Sequence, residues 1–193
     1  MRSGDQSSPM NRLQETLAEQ LNELRQHIER TQRNSHTDTI GFTGTKNGMT
    51  LAQKQMVNFL IQRLAPSRVR HGVCIGADDD FHIICKNAGI FVVGHPGVNA
   101  RGKCPARGVA KCDFICAEKP FIERNHDIVD NSWLLIGTPE GPERLRSGTW
   151  ATLRFAKKQK KPYLIVWPDG IIDGIRGVVA EPSNLGADDD DDS

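Results

Sequence analysis

At 193 residues and 37% apolar composition, the chain can bury one core of ordinary domain size and is too short for a two-domain enzyme. No run approaches the roughly 18 apolar residues of a membrane span, and the first twenty residues lack the apolar stretch of a secretory signal, so a cytoplasmic protein without a membrane partner is expected. The formal charge of +1 conceals an aspartate run at 188–192; without it 25 basic residues face 19 acidic ones, a mildly basic body that suits a phosphorylated ligand or a nucleic acid.

Residues 10–33 carry Leu13, Leu17, Leu21, Leu24 and Ile28 at steps of three and four, the spacing of one helical face. Only about two heptads are regular, which predicts docking against the protein's own domain or a short contact in a homodimer. From Thr39 onward short apolar runs alternate with helical patterns, the mark of a parallel sheet covered by helices on both faces. Strands are predicted at 39–43, 72–75, 90–93, 133–136 and 163–167, and helices at 51–64, 79–87 and 149–160. The last two strands with the helix between them predict a right-handed βαβ unit. Residues 96–120 are rich in Gly, Pro, Lys and Cys without periodicity and read as a long functional or mobile loop. The aspartate run reads as a disordered tail, because like charges repel and do not pack. Three parts result: a helix and linker over 1–38, an α/β Rossmann-like domain over 39–180, and an acidic tail over 181–193.

Five cysteines are an odd number and do not form a disulfide framework in a cytoplasmic chain. Cys74 and Cys85 lie in apolar stretches and read as small core residues. Cys104, Cys112 and Cys116 share a segment with His95 nearby, but the C-x7-C-x3-C spacing lacks the C-x2-C knuckle of common zinc modules, so no metal is predicted.

In a parallel sheet, ligands bind beyond the carboxyl ends of the strands, and four segments fall there. The first is Gly44-Thr45-Lys46 in a small-residue turn through which backbone N–H groups can approach a phosphate; it is neither a Walker A loop nor a Rossmann fingerprint. The second is Gly76-Ala77-Asp78 with Asp79 and His82, where Asp78 is placed to cap a helix or meet a ribose hydroxyl. The third holds Arg124, a bidentate phosphate clamp, and Asn125, a donor and acceptor for a base or sugar. The fourth, Arg146-Ser147-Gly148-Thr149 with Thr152, opens a helix and combines backbone N–H groups, hydroxyls and a guanidinium into an anion site.

The order G-T-K-x-G-M-T, G-A-D…H, H-P at His95-Pro96, F-x-x-R-N-x-x-I-V and R-S-G-T-x-x-T over residues 39–170 resembles the SLOG superfamily. That group includes the DNA-processing protein A (Smf) family and the lonely-guy cytokinin phosphoribohydrolases. The resemblance implies a Rossmann-like fold whose R-N and S-G-T elements line a basic phosphate pocket. Arg124 resembles the arginine of the lonely-guy E-R-K element, whereas Thr152, Arg154 or Phe155 stands near the position of that family's glutamate. Cleavage of an N-glycosidic bond needs a carboxylate, which Asp78, Asp79, Glu140 or Glu143 would have to supply from another loop. The sequence therefore leads to a nucleotide-binding or sensing module that needs no cofactor, holding a small phosphorylated nucleotide. Two alternatives stand beside it. One is a nucleoside monophosphate N-glycosidase with Arg124, Asp79 and Glu143 in catalytic roles. The other is a single-stranded nucleic-acid binder, for which eleven aromatics, several in predicted strands, leave few bases to stack on.

Overall fold

The computed structural model describes residues 9–31, 38–99, 111–172 and 174–176. An N-terminal helix, Pro9–Thr31 (α1), leads into the central strand Thr39–Gly44 (β1), then Leu51–Leu64 (α2), Arg68–His71 (β2), Ala77–Asn87 (α3) and Phe91–Gly94 (β3). Gly97–Val98 (β4), Phe114–Ile115 (β5) and Lys119–Pro120 (β6) are two-residue strands, followed by Phe121–Asp130 (α4), Leu134–Thr138 (β7), Gly148–Lys158 (α5) and Tyr163–Ile165 (β8). Six strands form one sheet in the order β5-β3-β2-β1-β7-β8, parallel throughout, while β4 and β6 pair separately.

The alternation along each strand assigns the two faces. Ile40 and Phe42 of β1, Leu134 and Ile136 of β7 and Leu164 of β8 pack with Val57, Leu60 and Ile61 of α2 and Phe81 and Cys85 of α3. Phe42 stacks on Phe81 with centroids 4.1 Å apart. Leu135, Tyr163 and Ile165 point the other way, onto Ile128 and Val129 of α4 and Leu153 and Ala156 of α5. A sheet buried on both faces needs such two-sided apolar strands, and this is the Rossmann-like α/β architecture expected from the sequence.

The predicted helix at 51–64 matches α2, which opens on a capping box between Thr50 and Gln53. Gln53 is itself buried, and its Nε2 donates to the carbonyls of Pro139 at 3.0 Å and Val166 at 2.9 Å, tying α2 to the chain leaving β7 and β8. Replacing it by Leu strands both carbonyls, so Gln53→Leu is expected to cost about 2 kcal/mol. Urea unfolding checks this, as a lower midpoint with an unchanged slope.

The strand expected at 72–75 lies earlier, at Arg68–His71, because Val73 takes a left-handed φ of +54° and turns the chain out of the sheet. The long loop expected over 96–120 contains β4, β5 and β6 in its described parts, with residues 100–110, Cys104 among them, outside the described residues. The acidic tail also lies outside them. Helix α1 buries Ala18 and Leu21, packs Leu17 and Leu24 against the core beside α2, and ties down through Arg25, which pairs with Asp38 at 2.7 Å and donates to the Leu64 carbonyl. A homodimer built on that face would have to displace the domain's own core. Among the described residues no helix is long and apolar enough to cross a membrane.

Candidate functional site

The chain adds β2, β3 and β5 on one side of β1 and then returns to its other side for β7 and β8, so strand order reverses between β1 and β7. At such a switch point the following loops splay apart and leave a crevice beyond the carboxyl ends of the strands. A cleft of about 480 Å³ occupies that place, within the range of small-ligand pockets. One wall is the turn after β1, the other is formed by Glu140 and Gly141 after β7 with residues 144 and 146–150, and Cys74, Asp78, Phe121 and Arg124 form the floor.

Arg124 dominates the floor. It sits in the first turn of α4, where an inward position would ordinarily be apolar, and is only 7% exposed. Its Nη2 donates to the Cys74 sulfur at 3.4 Å, its guanidinium lies 5.6 Å from the Phe121 ring centre, and its buried Nε has no hydrogen-bond partner among the described residues. A guanidinium offers five donors, and sulfur is a weak acceptor for one of them. Gly72 makes room for it: a Cβ there would stand 1.5 Å from Arg124 Nη1.

Asp78 is the buried carboxylate of the floor. Its Oδ2 accepts from the Cys74 backbone N–H at 3.0 Å and lies 4.0 Å from His71 Nδ1. Burial pushes its pKa up to about 6, against the opposing pull of Arg124 and the backbone N–H groups of Cys74 and Gly72.

On the second wall, Arg146 adopts a left-handed φ of +60° and feeds the chain into α5, whose N-cap Ser147 accepts from Trp150 N–H at 3.4 Å. Residues 147–150 line the cleft, so the first turn of α5, with the positive end of its dipole, opens onto it. Glu140 accepts from Asn47 Nδ2 at 2.7 Å and Arg144 Nη2 at 2.6 Å, bridging the two walls; these bonds hold its carboxyl below the ordinary glutamate range.

Of the residues singled out from sequence, Gly44, Thr45, Lys46, Asp78, Arg124, Asn125, Arg146, Ser147, Gly148 and Thr149 converge on this cleft. Others lie elsewhere, for definite reasons. Gly76 and Ala77 support the wall from behind: Gly76 has φ +92°, its Cβ would meet the Lys46 carbonyl at 2.3 Å, and Ala77 N–H donates to Thr45 O at 2.9 Å. The Thr152 hydroxyl folds back onto the Gly148 carbonyl within α5. His95 faces Arg70 at 2.9 Å, with burial and that cation lowering its pKa to about 4, and His82 faces His71 at 3.2 Å. Glu143 pairs with Arg154 at 3.0 Å outside the cleft, and Asp79 does not line it either, so neither stands where the expected catalytic role would place it. Cys85 is core, as expected, with burial pushing its thiol pKa up, whereas Cys74 is half-buried and faces the cleft instead. Gly72, Cys74, Phe121 and Trp150 were not singled out for the site; the F-x-x-R spacing was the available signal for Phe121.

No protein-family model matches this sequence, and no curated protein does. Among solved structures, the molybdenum cofactor binding protein from the phototrophic bacterium Rippkaea orientalis aligns at 20% identity and a TM-score of 0.52, over 67% of this chain and 76% of its own. The likeness is one of fold. Two further structures align less closely. TM1055, a structural-genomics target, gives 16% identity and a TM-score of 0.48 over 65% of this chain and 71% of its own. DNA processing protein A from Helicobacter pylori gives 20% and 0.43 over 66% and 64%. The six-stranded parallel sheet has the Rossmann-like α/β fold expected from the sequence.

Proposed function

We propose that this SLOG-type domain is a cytoplasmic binding or sensing module for a phosphorylated nucleotide or nucleotide-derived ligand, held in the cleft between β1 and β7. The phosphate sits between Arg124 and the N–H groups opening α5, with the turn at Gly44 and Thr45 closing over it, and Asp78 and Asn125 meet the ribose or base. The observation that carries this reading is Arg124: a buried guanidinium at the base of the cleft, whose Nε has no partner among the described residues and which shares the cleft with a helix N-terminus, is a site for an anion. The paired variant Arg124→Ala with Thr149→Ala, titrated with AMP, GMP, CMP, UMP and NAD, is expected to abolish the uptake seen with the intact protein. Unchanged affinity in that variant would overturn the reading.

A catalytic version of the same site rests on Asp78, the buried carboxylate beside Arg124. In that version Asp78 supplies the carboxylate that the lonely-guy pattern lacks at residues 152–155, and water replaces the base at C1′ of the bound monophosphate, releasing free base and ribose 5-phosphate. Chromatography of the same incubations separates the two: release that disappears in Asp78→Asn marks an N-glycosidase, and ligand recovered intact marks a binding module. Salt separates both from a single-strand binder. A mononucleotide makes few phosphate contacts, so its affinity is expected to fall less than about tenfold between 50 and 200 mM salt, where a polynucleotide track loses several powers of ten.

A further inference from the structure

Behind the floor of the cleft three potential ligand atoms meet from three separate elements. His71 is the last residue of β2, His82 lies in the second turn of α3, and Cys112 precedes β5. His71 Nε2 and His82 Nδ1 are 3.2 Å apart, and the Cys112 sulfur lies 3.7 Å from the first and 3.9 Å from the second. A tetrahedral ion with bonds of about 2.0–2.1 Å to nitrogen and about 2.3 Å to sulfur sets its ligands about 3.3 Å apart for N···N and about 3.6 Å for N···S. The observed triangle matches these separations to within a few tenths of an ångström. Both histidines are buried, and the elements carrying them are anchored in the core by Val69, Phe81 and Cys85.

We infer that His71 Nε2, His82 Nδ1 and Cys112 Sγ form a binding site for a zinc-class divalent ion with three protein ligands and a water in the fourth position. Two imidazoles and a thiolate are the borderline-soft donor set that favours zinc over magnesium or calcium. Without an ion the histidines satisfy each other: Val73 N–H donates to His71 Nδ1 at 3.1 Å, which leaves the proton on Nε2 to be shared with His82. Ion binding releases the Cys112 thiol proton to solvent and moves the His71 proton from Nε2 to Nδ1, which then faces Asp78 Oδ2, 4.0 Å away. The Val73 N–H gives up its bond to that ring, at the residue already held at φ +54°. Metal, histidine and carboxylate would then stand in series, with the carboxylate lining the cleft. The ion would also tie down β5, a two-residue strand paired through Val93 with Phe114 and Gly94 with Ile115. Cys116 is not part of the site, since its sulfur contacts His95 at 3.7 Å.

The test uses the full chain, stripped by a chelator, dialysed and titrated with cobalt(II) chloride and then zinc chloride. One cobalt per chain is expected, with a thiolate-to-cobalt charge-transfer band and the intense visible bands of a tetrahedral centre, both displaced by zinc. The charge-transfer band is expected to vanish in Cys112→Ser and persist in Cys116→Ser, and His82→Gln is expected to weaken binding at least about 100-fold. No charge-transfer band in the intact protein, or one that survives Cys112→Ser, overturns the assignment. The intact-protein titration can overturn the assignment even if a variant fails to fold. None of these residues lines the cleft, and the cobalt spectra are read without nucleotide, so they stand whatever the nucleotide titrations give.

Discussion

Arg124→Ala is expected to weaken binding of a nucleoside monophosphate by at least about 30-fold, near 2 kcal/mol, because it removes a charge-assisted contact from a buried site. Arg124→Lys is expected to recover little of that loss. A guanidinium presents a planar fork that can hold two phosphate oxygens while stacking near Phe121, and an ammonium on a flexible stem offers neither. Recovery to wild-type affinity in the lysine variant would show that charge alone, and not the forked geometry, matters at this position.

The second large effect comes from a residue that makes no contact with the ligand in this account. A methyl group at Gly72 would stand 1.5 Å from Arg124 Nη1 and 2.9 Å from Asp78 Oδ2. The obstructed atoms are the far ends of side chains, so the protein is expected to fold while Arg124 is driven from its seat. Gly72→Ala should therefore lose about tenfold or more in monophosphate affinity with Arg124 still present. Combined with Arg124→Ala it should add nothing further, the non-additivity expected of residues acting through one interaction. A Gly72→Ala variant that binds normally would show that the guanidinium is not held by the space that glycine leaves.

The dependence on Gly72 also marks how far the sequence could be read. Apolar runs located β1, β3, β7 and β8, and the spacing of α2 gave both of its ends. It misplaced β2 because Arg68-Val69-Arg70-His71 shows no apolar run. Arg68 instead lays its guanidinium 5.5 Å from the Phe91 ring centre on β3, and Arg70 meets His95. It missed α4 as a helix because the position one turn inside it, where a buried aliphatic would announce a helical face, carries Arg124. The same feature that hid the element makes the site, since a charge placed where packing asks for an apolar residue is retained only with a partner. The R-S-G-T and G-T-K segments were legible because anion-binding helix starts and tight turns are local structures. The meeting of His71, His82 and Cys112, separated by up to 41 residues, is tertiary and left no local pattern.

Isothermal titration of the full chain with AMP and with adenosine, in wild type and in Arg124→Ala, tests the central claim most directly. The phosphate is expected to contribute at least about 30-fold to affinity in wild type, and this preference is expected to collapse in the variant while adenosine binding changes little. Equal affinity for AMP and adenosine in the wild type, or a phosphate preference that survives Arg124→Ala, would contradict it.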